Sequence, residues 1–325
     1  MAERHERLAM KKIILDLDTG IDDALAIAYV LGSPDAELLG ITGTYGNVLL
    51  SQGLRNSLAL TELLGHPEVP VFAGLPHAQA EEGFSVSEAS AFIHGANGIG
   101  NISVADSSRT VQDMSAVDFI IDSAHRYGDE LVYVPTGALT NLAAALRKDP
   151  SLAACLHVVM MGGALTVPGN VNAWTEANIS QDPEAANEVF RSGTDVTMVG
   201  LDVTLQTLLT KKETRQWRAL GTKAGSVYAD IVDYYIGAYA KTAPYLGGCG
   251  LHDPLAAAVA LDPALVTCLA INMKVDTEGA TRGRTIGDET RLHDVKKTMQ
   301  VAVAVNTERF LAQFMERITK LLAAA

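Results

Sequence analysis

The chain has 325 residues, of which 48% are hydrophobic, and its formal net charge is −13. This length can bury a large core, and the acidic balance argues against nucleic acid as a ligand, because proteins that bind a phosphate backbone need clustered Lys and Arg. Every apolar run is shorter than the roughly 20 residues that a membrane-spanning helix needs, so no membrane role is expected.

Short apolar runs alternate with helix-patterned stretches, which is typical of a βαβ sheet. Strands are predicted, in chain order, at residues 13–17, 38–44, 131–135, 157–161 and 194–200. Helices are predicted at residues 22–31, 52–64, 116–127, 139–147, 183–192, 211–239 with a break near Gly221, and 254–261. The irregular, Gly- and Ser-rich stretch 76–108 predicts a functional or mobile loop.

The pattern contains no linker-like segment and no internal repeat. It predicts one α/β domain over residues 1–325, an open and mostly parallel sheet flanked by helices, with residues 1–11 as a flexible N-terminal extension. The charged N-terminus leaves no room for a signal peptide, and the three cysteines show no Cys-x-x-Cys spacing. Both features predict a cytoplasmic protein with free thiols.

Polar residues follow the first four predicted strands, where open α/β sheets bind their ligands. They are Asp18, Asp22 and Asp23 after the first strand, Gly46 and Asn47 after the second, Thr136 and Gly137 after the third, and Met161, Gly162 and Gly163 after the fourth. Four strands therefore deliver oxygen or amide groups to one rim.

The first of these groups is an acidic segment that begins at Asp16. Asp16, Asp18, Asp22 and Asp23 crowd like charges, which destabilises a fold unless a cation neutralises them. Carboxylates are hard oxygen ligands, and an irregular cage of many oxygens favours calcium over magnesium or a soft transition metal. Asp22 and Asp23 could instead merely cap a helix, but the two upstream carboxylates favour a cation site.

Residues 169–178 form a second polar segment. Its Asn170, Asn172, Glu176 and Asn178 are typical of polyhydroxyl recognition, since each sugar hydroxyl both donates and accepts. The alternative is a surface loop of turn-forming Asn.

A third segment, His252-Asp253-Pro254, precedes an apolar stretch. Asp253 could be a further metal ligand and His252 a general acid. The alternative interpretation is a helix start with a capping Asp.

Together these segments resemble the inosine–uridine nucleoside N-ribohydrolases, whose hallmark Asp-x-Asp-x-Gly-x-Asp-Asp matches residues 16–23. Further matches follow in the family's order: Gly46 and Asn47; Pro135, Thr136, Gly137, Thr140 and Asn141; Met160 to Gly163; Gly169 and Asn170; Glu176 and Asn178; and His252 to Pro254. Two departures are Thr19, where the family usually has Pro, and Ala177, where an aromatic residue is frequent. The resemblance implies the Rossmann-like nucleoside hydrolase fold and hydrolysis of ribonucleosides to ribose and free base.

The resemblance also implies roles for single residues. Calcium would be held by the carboxylates of Asp18, Asp23 and Asp253 and by the backbone carbonyl of Thr136, and Asp18 would be the general base toward a calcium-activated water. The residues implied to bind the ribose hydroxyls are Asp22, Asn47, Asn170, Glu176, Asn178 and Asp253, with Met161 packed against the sugar. Such a carboxylate-rich pocket stabilises an oxocarbenium-like transition state.

For the leaving base, the resemblance implies protonation by His252 and a second base-proximal histidine, His94. His94 could instead be a solvent-exposed loop residue. Tyr235 and Tyr239 lie four apart on one predicted helix and could close over the base, although such pairs more often pack in a core. The preferred nucleoside is left open, and homodimers or homotetramers are expected.

Two other functions compete with this hypothesis. Asp16 and Asp18 also resemble the nucleophile motif of haloacid-dehalogenase-like phosphatases, but Gly287-Asp288 lacks the second Asp that a metal pair there needs. A nucleoside-binding protein without activity is disfavoured because the metal carboxylates and the general base are all present.

Overall fold

The computed structural model describes residues 10–325. Its strands are β1 (Lys11–Leu17), β2 (Ala36–Gly43), β3 (Val71–Ala73), β4 (Leu131–Pro135), β5 (His157–Met161), β6 (Asp195–Val199), β7 (Leu208–Leu209), β8 (Cys249–Gly250), β9 (Val266–Ile271), β10 (Met273–Val275), β11 (Thr285–Gly287) and β12 (Met299–Val305). Its α-helices are α1 (Ile21–Leu31), α2 (Leu50–Leu63), α3 (Glu88–His94), α4 (Ala116–Tyr127), α5 (Thr140–Lys148), α6 (Ala177–Gln181), α7 (Pro183–Arg191), α8 (Leu201–Thr204), α9 (Lys211–Arg218), α10 (Lys223–Thr242), α11 (His252–Leu261) and α12 (Thr307–Ala324).

The main sheet has eight strands in the order β3-β2-β1-β4-β5-β6-β12-β9. Its strands pair in parallel except β9, which runs antiparallel to β12. The order reverses between β1 and β4, so the connections from these two strands leave in opposite directions. A crevice opens at such a reversal, at the carboxyl ends of the two strands.

Two apolar layers cover the sheet. One contains α1, α10, α11 and α12, and the other contains α4, α5 and α7. Helix α1 is buried at every residue from Ile21 to Val30. A helix that is apolar on nearly all sides is stable only inside a core, so the segment after β1 starts in the centre of the protein.

The structure confirms the α/β fold with a mostly parallel sheet flanked by helices. The bounds of β4, β5 and α4 agree with the prediction, and the break near Gly221 separates α9 from α10. The prediction omitted β3, β9, β12 and α12, and it treated residues 76–108 as irregular although they contain α3. Of the predicted N-terminal extension, residues 1–9 lie outside the described residues, while Lys11 already belongs to β1. Among residues 10–325, no helix has both the length and the apolarity that crossing a bilayer requires.

Candidate active site

Three carboxylates converge where two helices begin. Asp22 and Asp23 lie in the first turn of α1, and Asp253 lies in the first turn of α11. One carboxylate oxygen of each residue lies within 4.8 Å of the others, and all three residues are buried. The positive ends of both helix dipoles therefore face these carboxylates and offset part of their charge.

Asp18 joins this group through Asn47. The Asn47 backbone N–H donates to Asp18 Oδ2 at 2.5 Å, and the Asn47 side-chain amide donates to Asp18 Oδ1 at 3.1 Å and to Asp23 Oδ2 at 3.2 Å. Close approach requires the preceding Gly46, because a Cβ there would lie 2.1 Å from Asp18 Oδ2. We call Asp18, Asp22, Asp23 and Asp253 the acidic cluster.

Thr136, at the end of β4, contacts the cluster from the other side of the crevice. Its hydroxyl donates to Asp23 Oδ1 at 2.9 Å. Its backbone carbonyl, a predicted metal ligand, accepts from the Asn178 side-chain amide at 2.8 Å. The structure thus brings all four predicted metal ligands to one place.

Burial makes the acidic cluster costly to ionise. Desolvation, followed by the charge of Asp23, raises the pKa of Asp22 to about 8 and that of Asp18 well above its ordinary value. Burial, with the charges of its neighbours, also holds the pKa of Asp253 well above the ordinary range. Within residues 10–325, Asp22 Oδ1 and Asp253 Oδ2 are buried without any hydrogen-bond partner. Hard, unpartnered oxygens of this kind fit a metal ion, which would restore the charge balance.

Asp16 supports the site from behind. Its Oδ1 accepts from the Thr42 hydroxyl at 2.6 Å and from the Asn141 amide at 2.8 Å. Burial raises its pKa to about 6. These bonds fix the end of β1, from which Asp18 extends.

The predicted sugar-binding segment is largely bonded to its own backbone. Glu176 caps α6 by accepting from the backbone N–H of Asn178 at 2.9 Å and of Ile179 at 3.1 Å, and its Oε2 also accepts from the Gly163 N–H at 2.9 Å. The side-chain amide of Asn178 also lies 3.2 Å from the carbonyl of the buried Met161. Glu176, Asn178 and Met161 therefore border the acidic cluster.

Asn170 lies farther out in the same segment. It is exposed, and its side-chain oxygen accepts from the Ala177 backbone N–H at 2.9 Å. This position does not test the predicted contact of Asn170 with ribose, which stays a prediction.

His94, at the end of α3, is buried and not the exposed loop residue that was the alternative. Its Nδ1 accepts from the Ile21 backbone N–H at 3.2 Å and lies 3.9 Å from Asp22 Oδ1. Its ring lies 5.4 Å from that of Tyr235, whose hydroxyl donates to Asp22 Oδ2 at 3.5 Å. Burial lowers the pKa of His94 to about 3, so its imidazole is neutral.

His252 lies next to Tyr239, which packs against Tyr235. Its Nε2 lies 2.6 Å from the Tyr239 hydroxyl and its Nδ1 lies 2.8 Å from the Thr204 hydroxyl. Burial lowers its pKa to about 4. Tyr239 and Tyr235 pack edge to face at 4.9 Å, so the helical pair does line the site.

Two further residues near the site, Thr204 and Thr19, received no role there from the sequence. Thr204 follows β6, the fifth predicted strand, and extending the strand-end rule to that strand would have pointed to it. Thr19, the departure from the family's Pro, bonds through its hydroxyl to Ser57 at 2.8 Å. That bond holds the turn between β1 and α1 against α2, whereas a proline at this position would stiffen the turn through its ring.

Comparisons with known proteins identify the family of this chain. The model of the inosine-uridine preferring nucleoside hydrolase family matches residues 13–312. Uridine nucleosidase 1 of Arabidopsis thaliana is 36% identical over 86% of this chain and 82% of its own length. The inosine-uridine preferring nucleoside hydrolase of Leishmania major is 36% identical, with 96% and 98% covered.

Among solved structures, the purine-preferring ribonucleoside hydrolase from Gardnerella vaginalis is 67% identical and superposes with a TM-score of 0.96. The match covers 97% of this chain and 100% of that one. With the fold, the crevice and these relatives in agreement, the chain belongs to the inosine-uridine preferring nucleoside hydrolase family and hydrolyses the N-glycosidic bond of ribonucleosides.

Proposed function

We propose that this hydrolase is calcium-dependent and that Asp18, Asp23, Asp253 and the Thr136 carbonyl hold the ion. The observation that carries the proposal is the buried, unpartnered Oδ2 of Asp253 beside the carboxylates of Asp22 and Asp23. Three carboxylates and a carbonyl, with the further carboxylate of Asp22 beside them, form a many-oxygen set, which suits calcium better than a soft metal. When bound, calcium lowers the pKa of water and orients hydroxyl oxygens.

Asp18 is the general base of the proposed reaction. Asn47 donates to both Asp18 oxygens and so fixes the carboxylate against rotation. A carboxylate held in this way can accept a proton from the water that attacks C1′.

The ribose is held by the groups around the acidic cluster. Asp22 keeps an unpartnered buried oxygen that a ribose hydroxyl could use. The further proposed contacts come from Asn47, Asn170, Glu176, Asn178 and Asp253, with Met161 packed against the sugar. As the C1′–N bond breaks, positive charge develops on the ribose, and the surrounding carboxylates stabilise it.

Two histidines serve the departing base. Because His94 accepts through Nδ1, its neutral ring carries hydrogen on Nε2, which is free to donate. His252 acts together with Tyr239, which is half-buried and so is the more exposed residue of this pair. Donation to the base offsets the negative charge that it takes up on leaving.

Purine ribonucleosides are the proposed preferred substrates. The support is the relative named for purine preference, which is 67% identical to this chain, whereas the uridine nucleosidase is 36% identical. Homo-oligomers and a cytoplasmic location stay proposals from the sequence.

Steady-state kinetics with inosine, adenosine, uridine and cytidine test these proposals. The protein is first treated with EDTA and then given calcium, magnesium or buffer, with ribose release as the readout. We expect loss of activity with EDTA, recovery with calcium and a higher kcat/KM for purines. Full activity after metal removal would refute the calcium proposal, and a higher kcat/KM for uridine would refute the purine proposal.

A further inference from the structure

Three neighbours enclose the imidazole of His252. Thr204 Oγ1 lies 2.8 Å from Nδ1, and Tyr239 Oη lies 2.6 Å from Nε2. Gly250 packs on the ring so closely that a Cβ there would lie 2.6 Å from Nε2. Of these neighbours, only Thr204 reaches Nδ1, the nitrogen that points away from Tyr239.

The burial of Thr204 decides which way its hydrogen bond runs. Thr204 is fully buried, and within residues 10–325 its hydroxyl has no hydrogen-bond partner other than His252. If Nδ1–H donated to Thr204, the Thr204 hydroxyl hydrogen would be buried without an acceptor, which is costly. If Thr204 donates instead, its hydrogen is satisfied and Nδ1 is the acceptor.

The other end of the ring is consistent with this direction. With Nδ1 accepting, the neutral imidazole carries its hydrogen on Nε2 and donates it to Tyr239 Oη. When Tyr239 Oη accepts from His252, its own hydroxyl hydrogen is left for another acceptor, and the Tyr239 residue is half-buried, so it is not fully enclosed by protein. The bonds then run in one direction from Thr204 through His252 to Tyr239, and each donor in such a chain strengthens the next.

We propose that Thr204 is a positioning residue, which fixes the tautomer and orientation of His252 so that Tyr239 donates a hydrogen bond to the departing base. The inference rests on the proposed role of the His252–Tyr239 pair. It adds that a residue remote from the substrate sets the direction of that hydrogen bond.

The leaving group provides the test. Inosine and uridine release a base that needs a donor, whereas p-nitrophenyl β-D-ribofuranoside releases a phenolate that is stable without one. The variant Thr204→Val keeps the shape of the side chain and removes the hydroxyl. We expect kcat to fall about 10- to 100-fold for the nucleosides, which is less than the roughly 10²- to 10⁴-fold effect of removing an acid or base outright, and by less than about threefold for the nitrophenyl riboside.

Thr204→Ser restores the hydroxyl and is expected to rescue the nucleoside kcat, with KM little changed in both variants. The matched control is Thr207→Val, because Thr207 is also buried but bonds to the carbonyl of Thr204 instead of to His252. The readout is the ratio of the two kcat values, which does not depend on the folded fraction. If Thr204→Val folds too poorly to assay, Thr204→Ala is expected to change the ratio in the same direction.

The inference would be overturned if Thr204→Val left the ratio of the two kcat values unchanged, whether both fell equally or neither fell. The same change of ratio in Thr207→Val would also overturn it. His252→Gln separates it from the proposed function. If His252→Gln leaves the ratio unchanged, the proposed role of the pair fails and the inference fails with it. If His252→Gln changes the ratio and Thr204→Val does not, only the role of Thr204 is refuted.

Discussion

The acidic cluster and the segment 169–178 are both rich in polar side chains, but they use them differently. In the cluster, Asp22 and Asp253 each keep a buried oxygen without a partner. In the segment, Glu176 accepts three backbone N–H groups and Asn170 accepts one. Since burying an unpartnered oxygen is costly, the cluster is incomplete by itself, whereas the segment is complete.

This difference distinguishes the acidic cluster, whose buried oxygens lack partners in the protein, from the segment, whose Glu176 and Asn170 also hold its own backbone in place. Composition alone would rank the two regions alike. The unpartnered oxygens make the acidic cluster the place that could hold a metal ion. Glu176, in contrast, also caps α6 and holds the backbone of Asn178.

The largest expected effect is that of Asp18→Asn. Loss of the general base should lower kcat by roughly 10³-fold, in the range of acid–base catalysis. The same change removes one of several crowded charges but also turns an amide NH2 toward one of the two Asn47 donors, so the Tm of the metal-free protein should stay close to that of the wild type. Ribose release and thermal melting measure the two effects. A near-normal kcat would remove Asp18 from this role and weaken the contrast between the regions.

The effect of calcium on stability should depend on pH. The pKa of Asp22 in the folded, metal-free protein is raised to about 8 from an ordinary 3.8, so its contribution to stability is present at low pH and is lost as the pH rises through about 8. A calcium ion held by the neighbouring carboxylates would favour the ionised form of Asp22, so calcium binding and protonation of the acidic cluster oppose each other. The rise in Tm on adding calcium to EDTA-treated protein should therefore be larger at pH 8 than at pH 6. A rise that is equal at both pH values would contradict the assignment of the ion to this cluster.

A smaller effect is expected from Glu176→Gln. A Gln amide presents hydrogens to backbone N–H groups that now donate to the carboxylate, so the free energy of unfolding should fall by about 1–2 kcal/mol. KM should rise severalfold because Asn178 loses its support. Glu184→Gln is the control, since Glu184 makes a part-exposed ion pair with Arg282, and such pairs contribute little. If Glu176→Gln changed only kcat, the segment would belong with the catalytic groups.

Much of the fold could be predicted because its strands are short, apolar and closed by turn residues. The bounds of β4 and β5 follow from such runs. The apolar run of β12 is also visible in the sequence, but the place of this strand between β6 and β9 depends on pairing with distant strands. The two-residue strands β7 and β8 are too short to carry a pattern.

The sequence predicted which strand ends contribute residues to the site. Asp18 and Asn47 meet because parallel strands end at one edge. The approach of Asp22 to Asp253 depends on how α1 packs against α11, which no local pattern encodes. Burial of His94 and its bond to Ile21 likewise arise from tertiary contacts.

Two carboxylates of the acidic cluster belong to a buried helix, α1. Many enzymes carry their reactive groups on loops that open without disturbing the rest of the protein. Here Asp22 and Asp23 are part of a helix whose first ten residues are buried under α11 and the sheet. Displacing them would require opening the core itself, so the hydrogen-bonded backbone amides of α1 that follow these carboxylates, from Ala24 onward, are expected to be among the slowest in the molecule to exchange with solvent.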